Sequence, residues 1–327
     1  MLISSSSSMQ KFIIWSLLLT PKADGPCARS SHAVAVVRRK AYVFGGELEP
    51  RVPIDNKLHV FDLDTHSWSI VDVSGDAPPP RVGVTMAAVK DKIYVFGGRD
   101  GTHKELNEFY SFDTVTNEWQ QLSSGEEGPP ARSYHATASD DQHVYIFGGC
   151  GVDGRLSDLW AYEVDSDKWV KFKQPSHVLK GRGGPGLAVS MGKVWVIYGF
   201  SGEELDDVHF YDLEAQEWGH VETKGEKPSP RSVFATVGFG NHILIYGGEV
   251  DPSDLGHLGA GAFTGDMYSL NTETLTWHKW ETSGDHHPGP RGWSAFSSAG
   301  EGMLVYGGNS PSNARLDDIF LCVPSFG

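Results

Sequence analysis

Between positions 249 and 257 the chain reads Glu-Val-Asp-Pro-Ser-Asp-Leu-Gly-His, which brings carboxylates and an imidazole into one short polar stretch. Glu249, Asp254 and His257 form a mixed oxygen and nitrogen donor set of the kind that suits ferrous iron with open coordination positions. In an extended strand, moving a ligand by one residue turns its side chain to the opposite face. Convergence of these three therefore requires a turn within 252–255, and Pro252, Ser253 and Asp254 are turn-forming types. The competing reading is a solvated polar loop in which Asp254 caps a turn. A second candidate group is cationic. Arg99 and Arg155 each follow a glycine pair, and guanidinium groups bind sulfate-like anions directionally through two hydrogen bonds. Elsewhere the chemistry is sparse. There are 14 histidines but no HExxH or other zinc spacing, and no nucleophile elbow, phosphate loop or triad spacing.

These groups are set into a repeat. Paired glycines after an apolar run recur at Gly45-Gly46, Gly97-Gly98, Gly148-Gly149, Gly247-Gly248 and Gly307-Gly308, with a degenerate copy read at Gly199-Phe200. The first-glycine spacings are 52, 51, 51, 48 and 60 residues. Trp68, Trp119, Trp169, Trp218 and Trp277 follow at the same period, and Arg29, Arg81, Arg132, Arg182, Arg231 and Arg291 open the units. A shared period of about fifty residues is that of kelch repeats. Each unit reads as four short strands, since its apolar runs are bounded by Gly, Pro and Asp. The fold class is therefore all-β, a six-bladed kelch β-propeller with the tryptophans packed between blades. The arginines that open the units ring one mouth of the channel or, as the more ordinary fate, satisfy carbonyls and carboxylates between blades. His32 and His135 fall at equivalent repeat positions, which argues for a structural role.

The sixth unit ends without a tryptophan-bearing fourth strand, while Trp15 stands 53 residues before Trp68. The segment 13–19 is therefore expected to pair beside 318–323 and complete the last blade. The alternative, the apolar core of a signal peptide, has a tryptophan and a serine inside it and no prompt small-x-small cleavage site. Residues 1–9 are expected to be a disordered leader, with a single propeller over 10–327. The long loop of the fifth unit, 30 residues from Gly247 to Trp277 against 19 to 23 elsewhere, is the place where function is expected.

A net charge of −15 repels phosphate backbones and argues against nucleic-acid binding. No segment is long and apolar enough to span a bilayer as a helix. Cys27, Cys150 and Cys322 are widely spaced, which fits reduced thiols in a cytoplasmic protein, with a nuclear location as the alternative.

The motifs RSSHA (29–33), FGGELEPRVPIDNKLHVFDL (44–63), FGGRD (96–100), RSYH (132–135), KGRGGPGL (180–187), RSVF (231–234) and YGGNSPSNARLDD (306–318) resemble the plant kelch proteins of the nitrile-specifier, epithiospecifier and thiocyanate-forming group. The resemblance runs from about residue 25 to about 320. It implies a cytosolic factor that works after myrosinase and redirects the unstable glucosinolate aglucone from isothiocyanate to nitrile-type products, with Fe(2+) as cofactor. It further implies that Arg99 and Arg155 engage the sulfated aglucone, with Ser133, Tyr134, Gly186 and Val233 contacting substrate. The group's iron site reads Glu-x3-Asp-x3-His. Glu249 and His257 match it, but Ser253 holds the middle position and the aspartate stands one later, at Asp254. The alternative function is a non-catalytic interaction module that binds protein partners on the propeller faces. Copper-dependent sugar oxidation on a similar propeller is a remote third.

Overall fold

Strands form in this chain wherever a run of apolar and β-branched residues is closed off by a residue that turns the backbone. In the first unit Ala33–Val37, Lys40–Phe44, His59–Asp62 and Ser67–Ile70 pair antiparallel in chain order. The third and fourth strands are joined through Asp62, whose Oδ1 accepts the backbone N–H groups of Asp64 and Thr65 at 2.9 Å each. Asp113, Asp212 and Asn271 repeat that turn in later units. The short polar side chain stands in for a backbone acceptor, which is why Asp and Asn recur there.

The computed structural model describes residues 12–19, 25–281 and 286–326, so the leader expected at 1–9 lies outside the described residues. Among the described residues the strands form six antiparallel blades of four strands, two of which gain a short parallel strand, Ser74–Gly75 and Lys224–Gly225, beside their tryptophan strand. Their innermost strands, Ala33–Val37, Thr85–Val89, Ala136–Ser139, Gly186–Ser190, Ala235–Phe239 and Ala295–Ser298, each pack beside the next, and the sixth packs beside the first. The ring is closed, as the repeat predicts. The last blade takes its outer strand from the other end of the chain. Phe12–Leu19 runs antiparallel to Arg315–Ser325, with Ile14 opposite Val323, Trp15 opposite Cys322 and Leu17 opposite Phe320.

The three repeat markers have distinct structural duties. Each repeat tryptophan reaches back to an aromatic residue on the second strand of the preceding blade. The ring pairs are Trp68–Tyr306, Trp119–Phe44, Trp169–Phe96, Trp218–Phe147 and Trp277–Tyr198, at 5.2 to 6.4 Å between centroids. Trp15 supplies the sixth pair, 4.7 Å from Tyr246. The arginines do not line the mouth. All six are at most 2% exposed, and each donates Nη1 to the carbonyl sixteen residues later, on Gly45, Gly97, Gly148, Tyr198, Gly247 or Gly307. Arg132, Arg182 and Arg291 are also clasped by both oxygens of Asp158, Asp207 and Asp318. Buried ions of this kind need such pairing, and removing one partner costs about 3–5 kcal/mol.

That register corrects the degenerate glycine pair. In the fourth blade the pair is Tyr198-Gly199, with Phe200 one place further on. The first position is left-handed, and Tyr198 adopts it at φ 55°. The second lies at φ 96° to 113°, where only glycine is comfortable, and all six units keep glycine there.

His32 and His135 are buried between blades, edge-on to Tyr306 and Phe96. Burial holds His32 well below the ordinary imidazole range and pushes His135 down to about 3, with Arg29 and Arg132 adding to the effect. The unfolded chain binds these protons below pH ~6.5 and the folded chain does not, so stability falls as pH drops from 6.5 towards 3. At pH 5 the loss is about 2 kcal/mol for His135 alone. Buried Glu204 and Glu249, raised to about 8 and about 7, contribute in the opposite sense, so the check is calorimetry of wild type beside His135→Gln between pH 7.5 and 4.5: the wild type should lose more stability over that range than the variant. Equal pH dependence in the two proteins would remove His135 from the account.

Candidate functional site

The mouth of the channel is built from the residues that follow the repeat arginines and the glycine pairs. Two places after each arginine stands a residue with left-handed backbone: Ser31, Gly83, Tyr134, Gly184, Val233 and Trp293, at φ 50° to 60°. Their peptide groups form a closed belt. Ser31 N–H donates to Trp293 O, Gly83 to Ser31, Tyr134 to Gly83, Gly184 to Tyr134, Val233 to Gly184 and Trp293 to Val233, at 2.8 to 3.1 Å. The belt satisfies backbone groups that would otherwise be orphaned at the channel rim. It also fixes where Tyr134, Val233 and Trp293 stand.

Above the belt lies a second set of equivalent positions, directly after each glycine pair: Glu47, Arg99, Cys150, Phe200, Glu249 and Asn309. Each pairs with the residue after a repeat arginine. Each also pairs with a residue on the returning arm of its own loop, respectively Pro53, Glu105, Arg155, Glu204, Phe263 and Arg315. The scaffold is six-fold but these side chains are not, and a site can arise where the repeat departs from itself.

A cavity of about 320 Å³ opens on one side of this mouth, with Tyr134, Cys150, Arg155, Phe200, Val233, Glu249, Ser253, His257 and Trp293 on its wall. His257 sits in a single 3-10 turn, Gly256–Leu258, that tips its ring inward. The ring stacks on Tyr134 at 5.0 Å and 18°, and lies 5.7 Å from Trp293. Burial, reinforced by Arg99, Arg51, Arg155 and Arg315, pushes its pKa down to about 4, so the imidazole is neutral at physiological pH. The Arg155 guanidinium lies 4.7 Å over the Phe200 ring and has no carboxylate partner among the described residues. Arg99 is held differently. Its Nε donates to Glu105 Oε1 at 2.9 Å, its Nη2 pairs with the same oxygen, and its guanidinium lies 5.8 Å from the Tyr134 ring. Glu249 is 6% exposed, and burial together with Asp251 lifts its carboxyl to about 7.

Arg155, Tyr134, Val233, Glu249 and His257 are thus brought to one cavity, and Arg99 stands behind Tyr134. Ser133 and Gly186 are not on its wall. Ser133 is fully buried. Gly186 packs so closely on the next blade that a Cβ there would meet Thr236 Oγ1 at 2.6 Å. The expected iron ligands also need correction. The turn at 252–255 exists, but Ser253 makes it: its carbonyl accepts Gly256 N–H at 2.9 Å and its hydroxyl accepts Leu255 N–H at 3.1 Å. That geometry leaves Asp254 exposed, away from Glu249 and His257. Among the described residues no three His, Cys, Asp or Glu side chains form a group that could hold a metal ion. In this conformation Glu249, Asp254 and His257 do not fit an iron site.

Sequence reasoning missed the belt residue Trp293, the ring of Phe200 above the belt, and the mouth cations Arg51 and Arg315. The available signal was positional, since Trp293 stands two residues after a repeat arginine, as Tyr134 does.

Residues 19–248 match the KLHDC2/KLHL20/DRC7 Kelch-repeats domain, and residues 194–322 match the Attractin/LZTR1 beta-propeller. The chain is 41% identical over 323 residues to N-(sulfonatooxy)prop-2-enimidothioate sulfolyase of Thlaspi arvense, covering 90% of this chain and 92% of that one. It belongs to the plant specifier group of kelch-repeat propellers. More distant kelch relatives include acyl-CoA-binding domain-containing protein 4 of Arabidopsis thaliana, at 28% identity over 79% of this chain and 39% of that one. Host cell factor of Drosophila melanogaster is 27% identical over 91% of this chain and 17% of that one. Among solved structures YjhT superposes with a TM-score of 0.74 at 16% identity, over 93% of this chain and 99% of that one, a likeness of fold alone. In the specifier group's terms, the cavity beside Arg155 is where this kelch propeller departs from a plain repeat.

Proposed function

We propose that this specifier-group protein acts on N-sulfonatooxy imidothioates, the aglucones that myrosinase releases from glucosinolates, and directs them to nitrile-type products. The observation that carries the reading is Arg155, a guanidinium without a carboxylate partner among the described residues, on the wall of a cavity it shares with the rings of Tyr134, Phe200, His257 and Trp293. The name of the Thlaspi arvense relative, a sulfolyase of one such imidothioate, supports it.

The geometry suggests how the outcome would be steered. Isothiocyanate forms when the side chain migrates from carbon to nitrogen as sulfate leaves. Nitrile forms when sulfate and neutral sulfur both depart and the side chain stays on carbon. Arg155, with Arg99 behind it, would hold the sulfonate by charge-assisted hydrogen bonds. Tyr134, Val233 and Trp293 would hold the side chain against the belt and oppose its migration. His257, neutral at physiological pH, contributes a flat wall and no charge. Ferrous iron belongs to the proposal through the resemblance alone, since Glu249, Asp254 and His257 do not converge in this conformation.

The test is product analysis by gas chromatography with purified protein, myrosinase and prop-2-enyl glucosinolate, in ferrous-supplemented and chelator-treated arms. The expected result is a nitrile-type fraction well above the iron-only control. A yield equal to that control leaves the second reading, an interaction module. Leu48, Val52, Val152, Leu255 and Leu258, all at least half exposed on the mouth loops, favour that alternative.

A further inference from the structure

Cys150 has no role in the steering just described, yet it stands on the cavity wall beside Arg155. It occupies the third blade's position in the set that follows the glycine pairs. It is directly opposite Ser133 in an antiparallel pair, which puts the two side chains on one side of the ribbon. Ser133 is fully buried and its hydroxyl has no hydrogen-bond partner. On the neighbouring blade, Glu105 has an 8% exposed side chain, spends Oε1 on Arg99 and leaves Oε2 buried without a partner. Its charge reaches the thiol, as do those of Arg155 and Arg99. Behind the wall, the Ser133 hydroxyl opposite Cys150 and the Glu105 carboxylate each keep one oxygen unpaired among the described residues, which is unusual because buried polar groups are normally satisfied. At the wall itself the thiol of Cys150 and the guanidinium of Arg155 stand on paired residues, a nucleophile and a cation that together can take a small polarised electrophile.

We propose that Cys150 is a covalent modification site for isothiocyanates, through which the rearranged product closes the mouth. The thiol sulfur bonds to the central carbon of R–N=C=S, the C=N π pair moves to nitrogen, and nitrogen takes the thiol proton. The product is a dithiocarbamate ester; nothing leaves, and no oxidant or reductant is needed. Arg155 lies within reach to polarise the acceptor nitrogen or sulfur. The adduct occupies the cavity that Tyr134, Val233 and His257 share, so an aglucone arriving later finds it filled. The source of the electrophile rests on the proposed function, since isothiocyanate is what forms when an aglucone escapes steering. The site itself does not depend on that reading.

The other two cysteines are internal controls. Cys27 is exposed and lies off the cavity wall, and Cys322 is buried. Burial raises the Cys150 thiol above its ordinary range, so its thiolate fraction, and with it the rate of addition, climbs by about tenfold per pH unit below the thiol pKa.

The test treats the wild-type protein directly with prop-2-enyl isothiocyanate, with no glucosinolate or myrosinase present, and maps adducts by peptide mass spectrometry between pH 7 and 9. The expected result is an adduct at Cys150 that grows with pH and is slowed several-fold by a short-chain alkyl sulfate, while any adduct at Cys27 is not slowed. In the product assay, pretreated protein should lose most of its nitrile yield relative to untreated protein. Pretreated Cys150→Ala and Cys150→Ser proteins should each match their own untreated controls. Labelling at Cys27 alone, or equal protection at both cysteines, overturns the proposal. Selective labelling at Cys150 in a protein with no effect on glucosinolate products would leave the site standing and remove the proposed function.

Discussion

Replacing Trp15 with alanine should lower the melting temperature by about 5 °C. Trp15 is 7% exposed and packs on Tyr246 of the fifth blade at 4.7 Å and edge-on to Phe320 at 6.4 Å. It shares a core with Ile13, Trp280, Met303, Val305 and Cys322. Truncating a buried tryptophan costs about 3–5 kcal/mol. With an unfolding entropy of about 2.1 cal/mol/K per residue, a chain of 327 residues shifts by roughly 1.5 °C per kcal/mol. The position magnifies the effect, because Phe12–Leu19 joins the first blade to the last and a loosened outer strand opens the ring. Ile14, 51% exposed on the same strand, is the control, and Ile14→Ala should move the midpoint by little. Calorimetry decides it. If the two variants melt alike, the closing strand is not held by its tryptophan.

Arg155→Gln should reduce the nitrile-type fraction by about 10- to 100-fold while leaving the melting temperature within a degree or two. Arg155 is exposed, its guanidinium lies over Phe200, and it has no carboxylate partner among the described residues, so its loss leaves no buried charge uncompensated there. A hydrogen bond to a charged group is worth about 1.5–3 kcal/mol, and each 1.36 kcal/mol is a factor of ten in rate. Arg155→Lys should restore only part of the effect, since an ammonium keeps the charge but not the planar fork. The readout is the nitrile to isothiocyanate ratio at fixed myrosinase, beside the melting temperature. An unchanged ratio would take the sulfonate away from Arg155. A collapse in stability would make the residue structural.

The fold was legible in the sequence because every marker answers a demand that recurs in each blade. The second glycine of the pair is needed where φ reaches about 100°. The tryptophan is needed where one blade meets the aromatic end of another, and the arginine where a carbonyl sixteen residues on must be capped. Even the closure could be read, since an unfilled tryptophan position at one end and a spare tryptophan at the other fit no other arrangement as well. A local demand repeated six times leaves a periodic trace in one dimension.

The site left a fainter trace, because it depends on departures from the period. Arg99 and Arg155 looked alike from their glycine pairs, yet Glu105 neutralises Arg99 and nothing among the described residues does so for Arg155. Asp254 was read as a ligand from its type, but a turn made by Ser253 carries it outward while one 3-10 turn later His257 stacks on Tyr134. Residues 134, 233 and 293 come from three different blades and are set around one cavity by the closed belt of peptide hydrogen bonds, while a 3-10 turn brings residue 257 to it. The sequence by itself determined the blade, its markers and the closing strand, because these rest on contacts repeated at a fixed spacing. Which side chains face the cavity, and which charges there remain unpaired, was decided by the tertiary structure, because both depend on how neighbouring blades pack.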